Sequence, residues 1–167
     1  MVALNDVSEA TGLSEALLAL DAAGDAPALR QAATALVKAH MEAGRAEIER
    51  RFMATGNGLR AAHALSDLMD SAVIALFDLA DRRVFATANP TTGERVALTA
   101  IGGYGRGTMA PFSDIDLLFL VPYKRTPRAE QIIEFMLYAL WDLGLKVGQA
   151  VRSPEDCVRL AKGDPLI

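Results

Sequence analysis

Cysteine is nearly missing: Cys157 stands alone in 167 residues, so no intramolecular disulfide can form. Histidine is almost as scarce, with only His40 and His63, and no Cys/His cluster has the spacing of a zinc site. No apolar run approaches the roughly 18 residues of a membrane span, and the opening residues carry acids rather than a basic segment. That pattern points to a cytoplasmic protein with no membrane partner. Positive charge is also short, since 17 Lys and Arg stand against 21 Asp and Glu for a net charge of −4. The basic footprint that drives binding to a nucleic-acid backbone is therefore lacking, and no nucleic-acid partner is expected. What remains is ordinary globular material, 51% hydrophobic and 23% charged with a mean hydropathy of +0.21. Such a chain can bury a core, and its length suits one domain of about 100–200 residues.

Residues 1–26 are rich in Ala, Asp and Gly, with a weak helical pattern at Leu13, Leu17, Leu18 and Leu20, and read as a flexible arm. From Pro27, apolar residues recur at three- and four-residue spacing through Leu29, Ala33, Val37, Met41, Ile48 and Phe52 until the stop signal Gly56-Asn57-Gly58. A second such pattern runs from Leu59 through Leu65, Met69, Val73 and Leu76 to near Arg83. Together they predict an antiparallel helical hairpin over 27–84.

After Asn89-Pro90 the texture changes. The run Val96 to Ile101 is short and almost fully apolar, as a strand buried on both faces would be. A second strand is expected from Ile115 to Val121, then a helix from Arg128 to Leu143 closed by Gly144, a third strand from Leu145 to Val151, and a last helix opened by Ser153-Pro154-Glu155-Asp156. The fold class is α+β, a helical hairpin followed over 94–167 by a core with a short mixed sheet. Trp141 and Cys157 read as core residues, His40 and His63 as packing or surface residues, and Lys124, Arg125 and Arg128 as a solvated basic cluster.

The segment from Ile101 to Leu120 carries the chemistry. Gly102, Gly103, Gly105 and Gly107 follow a strand directly and let the backbone bring N–H groups close to an anion. Arg106 adds a positive charge suited to a triphosphate, and Ser113 is either a loop hydroxyl or a phosphate contact. Asp114 and Asp116 flank Ile115 at the head of the next strand, where a two-residue period sets both carboxylates on one side. Like charges that close repel, and a shared proton or a divalent cation relieves them. Beside a phosphate-cradling loop, Mg²⁺ is the economical choice. A dinucleotide fingerprint fails, because Thr108 or Tyr104 stands where its glycines would be, and no Gly-Lys-Ser/Thr completes a P-loop.

Gly-Gly, a spacer and Asp-Ile-Asp on a strand resemble the signature of the DNA polymerase β-like nucleotidyltransferase superfamily. G-G-Y-G-R-G followed by P-F-S-D-I-D-L-L is similar to its bacterial protein-PII uridylyltransferase branch, as is L-W-D-L-G-L-K-V-G-Q-A-V-R-S-P-E-D-C further on. The resemblance implies Mg²⁺-dependent transfer of UMP from UTP to a tyrosine of the PII signalling protein. Gly102 and Gly103 match the phosphate-binding pair, and Asp114 and Asp116 match the first two metal-binding carboxylates. Thr108 departs from the acidic residue expected after Arg-Gly. The superfamily also takes a third carboxylate from a later strand, and Leu145 to Val151 contains none. The family's phosphohydrolase and ligand-sensing domains are not seen either, so the expectation is an N-terminal fragment holding an incomplete nucleotidyltransferase core. A non-catalytic nucleotide-binding module, or a minimal transferase with another acceptor, stays open.

Overall fold

Two long helices lead the fold because Ala-rich, regularly spaced apolar sequence favours them. The computed structural model describes residues 12–20, 26–89, 91–123 and 125–163. A short helix α1 covers 12–18, followed by α2 (Ala26–Thr55) and α3 (Gly58–Leu79), which continues into a π-helical turn over Ala80–Val84. Asn57 caps α3, its side-chain oxygen accepting from Arg60 N at 3.0 Å. After a 3₁₀ turn at Thr92–Glu94 come β1 (Ala97–Ile101), the single turn α4 (Gly102–Gly105), β2 (Ile115–Leu120), α5 (Pro127–Asp142), β3 (Val147–Arg152) and α6 (Pro154–Gly163). Thr126 caps α5 by accepting from Ala129 N. In α6, Ser153 Oγ accepts from Asp156 N at 3.1 Å and donates to Asp156 Oδ2 at 2.8 Å.

The three strands form one mixed sheet in the order β1-β2-β3, with β1 antiparallel and β3 parallel to the central β2. On β2, Ile115, Leu117 and Phe119 are buried, and they join Ile132, Met136 and Leu140 of α5 and Val37, Leu76 and Leu79 of the hairpin in one hydrophobic cluster. Hairpin and sheet therefore share a core.

Several expectations need correction. The arm read over 1–26 is docked where it is described: Leu17 is fully buried, and Arg83 donates to the carbonyls of Leu17, Leu18 and Leu20 at the end of α1. Residues 1–11 and 21–25 lie outside the described residues. β1 is an edge strand alternating between exposed and half-buried positions, not a strand buried on both faces. Trp141 is 50% exposed, stacked edge-on against Tyr138, because the apolar circumference of α5 exceeds the face its neighbours cover. Cys157 is half-buried on α6, which buries none of its residues.

Arg128 is the clearest departure from the solvated cluster. It donates to the carbonyls of Phe85, Glu94 and Asp81 and to Asp81 Oδ1, with its side chain 13% exposed. The guanidinium fork ties the π turn, the 3₁₀ turn and α5 together. Lys124 lies outside the described residues, and Arg125 is exposed.

Candidate functional site

Strand register builds the site. The antiparallel pairing sets Ile101 against Asp116, and the parallel pairing sets Asp116 against Gly148. The end of β1 and the starts of β2 and β3 thus meet at one end of the sheet, with Asp116 on the middle strand. Gly102 follows Ile101 with φ at +64°, in the left-handed region that favours glycine. A Cβ on Gly102 would lie 2.6 Å from Asp116 Oδ2, and one on Gly148 would overlap Asp116 Oδ1. Both flanks of this carboxylate are cleared by glycine. Asp116 is half-buried on the face of β2 opposite Ile115 and Leu117, and Asp114 is exposed just before the strand.

Gly103 is different. A Cβ there would meet nothing nearer than Arg106 Nη2 at 3.8 Å, so of the expected glycine pair only Gly102 abuts the carboxylate. The segment expected as a glycine loop closes into one helical turn, with Gly107 N donating to Tyr104 O at 2.8 Å. Arg106 is exposed as it leaves that turn, and Ser113, also exposed, closes the next one by donating its N–H to Ala110 O at 3.2 Å. The structure brings Gly102 and Asp116 together and sets Arg106, Ser113 and Asp114 at exposed positions of the segment between α4 and β2.

Sequence reasoning missed four residues around this segment besides Gly148. His63, Ser66 and Asp70 project from α3 toward it. His63 Nδ1 lies 2.6 Å from Gly107 O, Ser66 Oγ accepts from Met109 N at 3.1 Å, and Tyr104 OH donates to Asp70 Oδ1 at 2.6 Å. Burial of Tyr104, then its bond to Asp70, raises its phenol well above the usual range, so it stays a donor. The 63, 66, 70 spacing shows that the three share a helix face, but no local pattern says what that face meets. The fourth is Phe112, 93% exposed with φ at 64°, directly before Ser113 and Asp114. A bulky side chain in that region costs on the order of 1–3 kcal/mol, and strain of this kind gathers at functional sites.

Among the described residues no group of three or more His, Cys, Asp and Glu side chains is placed to hold a metal ion. An open cleft of about 780 Å³, lined by Arg82, Arg95, Ala97, Leu120 and Arg128, sits at the opposite end of the sheet from Asp116 and contains none of the candidate residues. No helix among the described residues is long and apolar enough to cross a membrane.

Residues 83–165 match the nucleotidyltransferase domain family. The chain carries a nucleotidyltransferase domain. It is homologous over most of its length to bifunctional uridylyltransferase/uridylyl-removing enzymes. The Azospirillum brasilense enzyme is 53% identical over 92% of this chain, and that of Caulobacter vibrioides 51% identical over 87%. The Rhodospirillum rubrum enzyme is 52% identical over 80%. The chain spans only 16%, 16% and 14% of the length of these relatives, respectively. No solved structure matches it. The matched segment contains all six residues expected from the sequence to serve the site: Gly102, Gly103, Arg106, Ser113, Asp114 and Asp116.

Proposed function

We propose that this domain transfers UMP from UTP to a tyrosine of the PII nitrogen-signalling protein, using Mg²⁺ held by Asp114 and Asp116. The observation that carries this reading is Asp116 on the middle strand with a glycine on each flank, beside a glycine turn, in a nucleotidyltransferase domain. The activity for which the relatives are named supports uridylyl transfer, and the resemblance of the G-G-Y-G-R-G and P-F-S-D-I-D segments supports PII as acceptor.

The residues suit the cation. Two carboxylates form a hard oxygen donor set, and the absence of a Cβ at Gly102 and Gly148 is what lets the Asp116 carboxylate sit between them. Bound Mg²⁺ would screen the triphosphate and orient its α-phosphate. The chain does the rest. Gly102 and Gly103 let the backbone approach the phosphates, Arg106 offsets their charge, and Ser113 donates its hydroxyl to a phosphate oxygen. The acceptor phenol oxygen then bonds to the α-phosphorus, the bond to the bridging oxygen breaks, pyrophosphate leaves, and the phenol proton passes to a base.

Calorimetric titration tests the reading. UTP should bind with substantial heat in the presence of Mg²⁺ and little without it, because the phosphates complete a coordination sphere that two carboxylates leave open. Asp114→Asn and Asp116→Asn should each weaken the Mg²⁺-dependent binding at least tenfold. Equal affinity with and without the metal would overturn the carboxylate assignment.

A further inference from the structure

Four glycines in the six residues from Gly102 to Gly107 make a segment with many accessible conformations, and ordering it costs entropy that ligand binding would otherwise have to supply. Beyond its single helical turn it is closed by Gly107 N to Tyr104 O at 2.8 Å and by a long bond from Thr108 N to Gly103 O at 3.4 Å. The turn also packs on β1 and β2, with Gly105 against the Ala100 carbonyl, and side-chain hydrogen bonds reach the segment from one helix face. His63, Ser66 and Asp70 lie on successive turns of α3 and reach Gly107, Met109 and Tyr104, which are spread along the path from the glycine turn toward Ser113 and Asp114.

Each anchor is directional. The carbonyl of Gly107 can only accept, so His63 Nδ1 carries the proton. Ser66 is 2% exposed and donates to Ala62 O at 3.1 Å, which leaves its oxygen lone pairs for Met109 N. Apolar packing would hold the segment near α3 without setting the orientation of its peptide planes. These bonds set it.

We infer that His63, Ser66 and Asp70 are positioning residues for the nucleotide: α3 is the template that holds the Gly102–Met109 segment in its phosphate-receiving shape. The inference rests on the nucleotide-binding reading above. The helical hairpin is then part of the binding machinery rather than an appendage to it. Loosening one anchor lowers the fraction of molecules with a competent segment, and apparent affinity falls by that fraction. The expected loss is about 3- to 10-fold per anchor, the scale of one hydrogen bond.

The test uses the whole 167-residue chain with Tyr104→Phe, Asp70→Ala, Ser66→Ala and Asp70→Asn, reading Mg²⁺–UTP affinity by calorimetry and amide exchange of residues 102–109 without nucleotide. Tyr104→Phe and Asp70→Ala should each speed exchange and weaken UTP about 3- to 10-fold, and the double variant should be no worse than either alone. Asp70→Asn keeps an acceptor and should restore affinity to near that of the unaltered chain. Tyr104→Phe preserves the buried ring, so it remains informative if Ser66→Ala fails to fold. Faster exchange with unchanged affinity would overturn the inference. An unaltered chain that does not bind Mg²⁺–UTP would instead overturn the nucleotide-binding reading, and the inference with it.

Discussion

At the scale of single residues, the site depends on what is missing as much as on what is present. Asp116 keeps its place because neither Gly102 nor Gly148 has a Cβ, and the two positions fail differently when changed. Gly148→Ala puts a methyl onto Asp116 Oδ1 from the neighbouring strand, so the carboxylate must swing away. Gly103→Ala meets only the mobile end of Arg106. We expect Gly148→Ala to weaken Mg²⁺–UTP binding at least tenfold and Gly103→Ala to weaken it by less than threefold, both with near-native circular dichroism. The reverse order would show that the second glycine of the pair, not the cleared flank of Asp116, controls the site. The candidate carboxylates and glycines were proposed from the sequence because their chemistry is local. Gly148 was not, because its role exists only once β3 pairs in register with β2.

At the scale of elements, the boundaries of helices and strands followed from spacing and caps, whereas the links between elements came from side chains whose partners are distant in sequence. Arg128 read as a surface charge because nothing nearby in sequence shows the carbonyls of Asp81, Phe85 and Glu94 that it collects. Arg128→Lys keeps the charge but cannot serve all of these acceptors, and it should cost about 1–3 kcal/mol in chemical unfolding. An unchanged midpoint would mean that water satisfies those carbonyls equally well. The start of α6 should respond to acid instead. Arg159 beside Asp156, with the Ser153 hydroxyl and amide, lowers its carboxyl from 3.8 to about 2. A depressed carboxyl contributes stability that is present above its unfolded value and is lost as pH falls through its folded one. Helicity over 154–163 should therefore decline between about pH 4 and pH 2, followed by residue-resolved chemical shifts, and Asp156→Asn should remove that dependence.

At the scale of the whole molecule, α1, the hairpin and the sheet draw on one core, and this too was only partly legible. A helix as short as 12–18 has little intrinsic stability and holds through packing of Leu13 and Leu17, which local propensity cannot report. The same shared core places α3 against the glycine turn, so the described residues include the proposed nucleotide-binding half of the site. The other half is thinner. Beside Asp116 the parallel strand offers Gly148, and no third carboxylate converges there among the described residues. Two-metal transfer needs a site for the cation that activates the nucleophile, and two acids serve the nucleotide's cation better than both. Losing one electrostatic element of this kind costs on the order of 10²–10³ in rate. We therefore expect the 167-residue chain to bind Mg²⁺–UTP yet transfer UMP to PII about 10²–10³ times more slowly than the Azospirillum brasilense enzyme, followed with radiolabelled UTP. Turnover at an ordinary enzymatic 1–10³ per second, abolished by Asp116→Asn, would mean instead that a third oxygen ligand is already supplied within this chain.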